Sequence, residues 1–208
     1  MKLIVFSPNK SISNETEWVT ALFQNGLEIY HLKKPHFNYK RMSEYIQRIP
    51  KKYHNRIVIH SNHSLIKKFN LKGIHFPSKV RENKLKTWWT IFSLSKRKRK
   101  RMTVSTSFHN TTQLDVYENK FDYVFLSPIF DSITKKEYQS GFKEFGLSNS
   151  LSHSNYKVIA LGGIDESKIS AIKRMGFSGC ALLGAIWTSV NPTKSFMDIL
   201  DKCNSKEN

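Results

Sequence analysis

The apolar residues of this 208-residue chain come in short unbroken runs rather than in alternation with polar ones. Such runs lie at 2–6, 27–32, 56–60, 73–76, 101–105, 123–127, 158–161 and 181–184, and most are rich in Val, Ile, Leu, Phe and Tyr. Strands that are apolar on consecutive positions are buried on both faces, as parallel strands covered by helices are. Several intervening segments carry helical spacing instead. Residues 15–24 form a predicted helix, opened by an Asn14-x-x-Glu17 capping box and closed at Gly26. A second runs over 165–175, with Asp165 as N-cap, Ile169 and Ile172 as buried positions and Gly176 as the stop. Shorter helices are predicted over 42–49 and 65–69. The connection from Val80 to Lys100 is irregular, with one helix around 85–92, and 87–101 is expected to be the least regular part of the chain.

Eight strand signals separated by helices leave two α/β architectures. A doubly wound dinucleotide fold has a glycine-rich turn after its first strand, but that turn here is Ser7-Pro8-Asn9-Lys10. The glycines fall late instead, with Gly162-Gly163 after the seventh run and Gly184 at the end of the eighth. Loops after strands seven and eight cradle phosphate in (β/α)8 barrels, through backbone N–H groups and a helix N-terminus. The expectation is therefore a single (β/α)8 TIM barrel, one domain over residues 1–208.

Composition narrows the setting. A hydrophobic fraction of 39% supports a folded domain, and no apolar run approaches the ~20 residues of a membrane span. The opening MKLIVFSPNK reads as a first strand, not a signal peptide. Two cysteines, Cys180 and Cys203, without a metal-type pair fit a reducing, cytoplasmic location. The formal charge of +18 invites a nucleic-acid reading, sharpest at the basic run from Lys96 to Arg101. Most other basic residues are scattered, however, which describes solvated surface that also attracts anionic metabolites. Nucleic acid is accordingly disfavoured as a partner, and a homodimer is left open.

The chemistry-bearing residues gather where such barrels hold their sites, at the C-terminal strand ends. His31 and Lys33 end the second strand, His60 the third and His75 the fourth, while Ser107 and His109 follow the fifth. The sixth leads through Ser127-Pro128 into Asp131, Ser132, Thr134 and Lys135. Histidines at neighbouring strand ends are read either as hydrogen-bonded structural groups, as proton carriers or as metal ligands, and the sequence reading commits to no metal. Gly162-Gly163 has an alternative reading as a tight turn.

In order and spacing these pieces resemble the thiamine phosphate synthase/TenI superfamily over essentially the whole chain. The resemblance is carried by Tyr30-His31-Leu32-Lys33, Lys72-Gly73-Ile74-His75, Ser107-Phe108-His109, the run from Asp122 to Phe130, Ala160-Leu161-Gly162-Gly163-Ile164 and the run from Gly179 to Ile186. It implies a (β/α)8 fold and a phosphorylated thiazole as ligand. The synthase of this family joins a pyrimidine diphosphate to a thiazole phosphate and uses magnesium. Its magnesium aspartates correspond to Ser61 and, roughly, Val80, neither of which suits a hard cation. Its Arg and Lys at the end of strand two align with Lys33 and Pro35, and its strand-three Asn with His60. The pattern of the loop after strand six is kept in Ser132, Thr134 and Lys135.

The departures bring the chain closer to the TenI-type thiazole tautomerase, which also lacks those carboxylates. That reaction moves a proton between two positions of a thiazole carboxylate phosphate. It needs a group that takes and gives a proton near neutral pH, and a grip on the phosphate. The resemblance implies His109 as acid/base, Lys135 as positive charge toward the carboxylate, and Gly162, Gly163 and Gly184 at the phosphate. His31, Lys33, His60, Ser107, Ser132 and Thr134 complete the expected binding set. No cofactor is expected, with Mg2+ needed only for the synthase alternative. A third reading is a catalytically silent barrel that binds thiazole or thiamine phosphate.

Overall fold

The computed structural model describes residues 1–95, 102–115, 121–131 and 144–205. Eight parallel strands close into a barrel in chain order: β1 (Lys2–Phe6), β2 (Ile29–Leu32), β3 (Ile57–Ile59), β4 (Gly73–Phe76), β5 (Thr103–Phe108), β6 (Tyr123–Leu126), β7 (Val158–Leu161) and β8 (Gly179–Leu182). β8 pairs back onto β1, with Leu3 beside Cys180 and Val5 beside Leu182. The helices are α1 (Glu15–Gln24), α2 (Tyr39–Arg48), α3 (Ser78–Arg81), α4 (Lys84–Ser95), α5 (Glu144–Ser152), α6 (Ile169–Arg174), α7 (Gly184–Trp187) and α8 (Pro192–Asn204).

The unbroken apolar runs are explained by two cores that share the same strands. Successive side chains point to opposite faces, so Leu3, Val5, Tyr30, Leu32, Ile57 and Ile59 pack outward with Val19, Leu22 and Phe23 of α1 and Met42 and Ile46 of α2. The alternate positions Ile4, Phe6, Ile29, Val58, Phe125, Ile159 and Ala181 fill the barrel interior. Neither face of a strand meets water, and neither can be polar without a partner.

The expected elements are present, with local corrections. β5 starts later than the sequence run and continues to Phe108, so Ser107 belongs to the strand and not to the turn after it. Gly184 does not end β8 but opens α7. Residues 87–95 are regular helix, held by buried Thr87 and Leu94, while 96–101 lie outside the described residues. The Asn14 capping box is absent. Its backbone is left-handed (φ 54°), its side chain makes no cap bond, and the first turn of α1 carries Glu15 and Glu17 against the helix dipole instead. Asp165 does cap as expected, accepting from the Ser167 amide at 2.9 Å, although a 3-10 turn (Glu166–Lys168) precedes α6. The 65–69 helix is likewise a 3-10 turn, over His63–Lys67.

One buried polar group outside the barrel was not expected. The Lys34 ammonium, fully buried just past β2, donates to Glu15 Oε2 at 2.6 Å, to the Pro8 carbonyl at 2.6 Å and to the Lys10 carbonyl at 3.2 Å. The other Glu15 oxygen accepts from Tyr45 at 2.7 Å and from Tyr30 at 3.4 Å. This knot ties the loop after β1 to α1, β2 and α2, and so fixes the rim on that side. Removing one partner strands a charge inside the protein. Lys34→Met is therefore expected to cost about 3–5 kcal/mol in urea unfolding, and adding Glu15→Gln should recover a large part of it.

Candidate active site

Toward the C-terminal half of the barrel polar side chains join the apolar filling. His31 on β2, His75 on β4 and Ser105 on β5 are buried, and His60, the first residue past β3, is half-buried. Their rings and hydroxyls form one connected network. His31 Nε2 meets the Tyr123 hydroxyl of β6, across the barrel, at 2.7 Å, and its Nδ1 meets His60 Nε2 at 3.0 Å. His75 Nδ1 meets Ser105 Oγ at 3.0 Å and its Nε2 meets Ser107 Oγ at 3.2 Å. The His60 and His75 rings stack with centroids 4.1 Å apart. Phe6 stacks on His31 at 4.8 Å and Phe125 meets it edge-on at 4.9 Å, so apolar rings wall the cluster.

These apolar walls control the charge of the histidines. Burial pushes the His31 pKa down to about 3. Burial also holds His60 and His75 well below the ordinary imidazole range, helped by the neighbouring His31, Lys33 and His63 and, for His60, by His75. Near neutral pH the cluster is thus a set of neutral imidazoles. Each has one N–H and one lone pair.

Lys33 itself is exposed, with its backbone clamped to Ser7 by reciprocal bonds of 2.8 and 2.9 Å. Its positive charge acts on the cluster from the mouth. A second cation was missed by the sequence reading. Arg81 of α3 donates to the Ser107 carbonyl at 3.2 Å and lies 4.5 Å from the Phe108 ring centre, which brings a guanidinium to the end of β5.

His109 follows β5 and is exposed, apart from the three-histidine cluster. Its Nδ1 lies 3.0 Å from the Ser127 carbonyl, and its amide donates to Gln113 Oε1 at 2.9 Å. A carbonyl only accepts, so the neutral ring carries its proton on Nδ1. Nε2 keeps the lone pair, which is the state a general base requires. Ser132, Thr134 and Lys135 lie outside the described residues.

Gly162 and Gly163 follow β7 with φ of +100° and +64°, a region that side chains other than glycine avoid. The loop after β6 lies against them: Ile129 donates to the Leu161 carbonyl at 3.0 Å and Phe130 to the Gly162 carbonyl at 3.2 Å. A Cβ on Gly162 would sit 2.9 Å from Pro128 Cα, and one on Gly163 would meet the backbone of Phe130 and Asp131. This contact is sufficient reason for both glycines. Gly184 opens α7, whose Trp187 Nε1 donates to the Phe6 carbonyl at 2.6 Å.

Ser61 and Val80 were the positions weighed for magnesium. Ser61 Oγ is buried with no hydrogen-bond partner among the described residues, and Val80 is exposed on α3. One neutral hydroxyl and one isopropyl group do not fit a cation that prefers carboxylate oxygens. Imidazole nitrogens are better suited to borderline metals, and the three at His31, His60 and His75 lie within 4.8 Å of one another.

A closed parallel barrel, with polar side chains collected at one end and glycine turns after β7 and β8, defines a (β/α)8 protein with its site at the C-terminal strand ends. The sequence profile described as thiamine monophosphate synthase matches residues 3–186, and the chain belongs to that family, the thiamine phosphate synthase/TenI family of thiamine biosynthesis. A solved thiamine phosphate pyrophosphorylase from Bacteroides thetaiotaomicron superposes with a TM-score of 0.80 at 30% identity, covering 100% of both chains. The thiamine-phosphate synthase of Vibrio parahaemolyticus is 38% identical over 74 residues, 36% of this chain and 36% of the relative. That of Prochlorococcus marinus is 28% identical over 159 residues, 74% of this chain and 42% of the relative. The chain thus matches less than half the length of these two relatives. No helix among the described residues is long and apolar enough to cross a membrane.

Two outcomes follow from the geometry. The folded protein binds fewer protons at His31 than the unfolded chain between the folded value of about 3 and the unfolded value of about 6.5. Its contribution to stability is therefore lost as pH falls through that window, by up to about 1.4 kcal/mol per pH unit. In metal-free protein, urea midpoints measured from about pH 7 to pH 4 should fall less steeply for His31→Gln than for the parent chain. Gly163→Ala should lower the melting temperature together with the affinity for a phosphorylated ligand, because the 128–131 loop must move.

Proposed function

We propose that this chain acts on a phosphorylated thiazole as a TenI-like thiazole tautomerase, with His109 as the acid/base. The observation that carries the proposal is the fixed tautomer of His109. Its Nδ1–H is held on the Ser127 carbonyl, leaving Nε2 as a lone pair at an exposed position on the C-terminal rim. In this reading Nε2 takes the proton from the ring position that loses it and returns it to the position that gains it. No net change of charge is needed, and the thiazole ends aromatic. The family resemblance assigns Lys135 to supply positive charge for the carboxylate, and Ser132 and Thr134 to the binding set. The phosphate is received by backbone N–H groups of Gly162, Gly163 and Gly184, where helix α7 begins. His60, Ser107 and Lys33 stand on the ring side, and the buried His31 acts there only through its contact with His60. Ser61 and Val80, standing where the synthase has carboxylates, support a reaction without magnesium.

The synthase reading keeps one specific support: the relatives reported above carry that activity in their names. The two readings separate in one assay that offers each set of substrates with and without Mg2+. Isomerisation of the thiazole without added Mg2+ is the expected result, and magnesium-dependent formation of thiamine phosphate at an ordinary enzymatic rate would reverse the ranking. Neither product, with tight binding of thiazole phosphate, would favour a silent binding barrel. His109→Gln is expected to reduce tautomerase turnover by about 10²–10⁴ with little change in substrate affinity, as loss of a general acid/base does.

A further inference from the structure

We infer that His31, His60 and His75 form a three-histidine site for a borderline divalent cation of the Zn2+ type at the floor of the barrel mouth. The inference departs from the sequence reading, which committed to no metal, and it does not rest on the tautomerase reading. The ligand nitrogens come from the ends of three adjacent strands, β2, β3 and β4, and all lie within 4.8 Å of one another. A tetrahedral centre with Zn–N bonds of about 2.0–2.1 Å needs its nitrogens about 3.4 Å apart. His31 Nδ1 and His60 Nε2, at 3.0 Å, would have to part by only about 0.4 Å. The widest pair has to close by about 1.4 Å, which side-chain rotation supplies.

The outer nitrogens are held as those of metal-bound histidines are. His31 turns Nε2 to the Tyr123 hydroxyl and His75 turns Nδ1 to Ser105. Such outer-shell partners set the tautomer and the ring direction. With the protons on His31 Nε2 and His75 Nδ1, the facing nitrogens His31 Nδ1 and His75 Nε2 both carry lone pairs. Without metal, His60 donates its Nε2–H to His31. Binding needs only that this one proton move to Nδ1 of the same ring. The His31–His60 bond and the Ser107–His75 bond are then exchanged for coordination.

Three neutral nitrogen ligands select Zn2+, Co2+ or a similar ion over Mg2+, which demands oxygen. Three protein ligands also leave a fourth position. Lys33 stands at the same mouth, close enough to depress His60 and His75. An anionic oxygen, from a carboxylate or a phosphate, is the ligand chemistry that suits both the open position and the lysine.

The test is direct titration of chelator-stripped full chain with Zn2+ by calorimetry and with Co2+ by visible absorption. One ion per chain, and an intense tetrahedral Co2+ spectrum, are expected. His60→Gln, which replaces a half-buried ring and spares the fold, should weaken binding by at least about 100-fold, more than the 10–100-fold typical for an outer-shell partner. Tyr123→Phe should fall inside that 10–100-fold range, and His109→Gln should bind like the parent. Circular dichroism confirms that each variant is folded; if His60→Gln is not, the Co2+ spectrum of the parent decides. The inference is overturned by a weak octahedral spectrum, by Zn2+ binding that survives His60→Gln, or by Mg2+ binding as tightly. A thiolate-to-cobalt charge-transfer band would overturn it too, since it would place the ion at the buried pair Cys180 and Cys203.

Discussion

Closing eight parallel strands into a barrel sends every second side chain into a space with no solvent except at its two ends. The whole arrangement follows from what those inward positions contain. Most of them are Ile, Val, Phe and Ala, which need only to fit. Among these stand His31, His75, Ser105 and Tyr123, and each must find its partners inside the barrel because water cannot reach it. The strands are near enough that they do so with one another, through bonds of 2.7 to 3.2 Å. The same enclosure that makes this network obligatory keeps its imidazoles neutral. Burial thus prepares a cluster of lone pairs beneath a rim of cations.

The rim depends on features that lie outside the barrel. On one side the Glu15–Lys34 knot joins the loop after β1 to the first two helices, and Ser7 clamps Lys33 from that loop. On the other side the loop after β6 is laid against Gly162 and Gly163, and Trp187 of α7 reaches the end of β1. The floor is therefore specified by strand parity, and the walls by separate polar anchors. Family membership describes this frame, since the match runs over residues 3–186. The departures from the synthase pattern fall inside it, at His60, Ser61 and Val80, where the frame does not constrain them.

Two kinds of histidine result. His109 is exposed and oriented by a single carbonyl, so solvent can exchange its proton and a substrate can reach Nε2. His31 and His75 are enclosed and oriented by several partners, so they serve better as fixed nitrogen donors than as proton carriers. A shared residue type at neighbouring strand ends hides that difference. It comes from one or two residues of displacement along a strand.

The sequence by itself determined the barrel, because unbroken apolar runs at eight places require strands buried on both faces, and late glycines with no early glycine turn exclude the dinucleotide fold. It also determined which strand ends are polar, since that is a statement about chain order. It did not determine that β5 extends to Phe108, so Ser107 was read as a turn residue although it faces His75. Neither could it join His31 to Tyr123, which is 92 positions away and meets it only across a closed barrel. The Glu15–Lys34 pair was not legible for the same reason: nothing in local spacing tells a surface lysine from one that three oxygens enclose. Local periodicity reports which face of an element is apolar. Which polar groups share the remaining space depends on closure, register and the depth of burial, and these exist only once the strands have met.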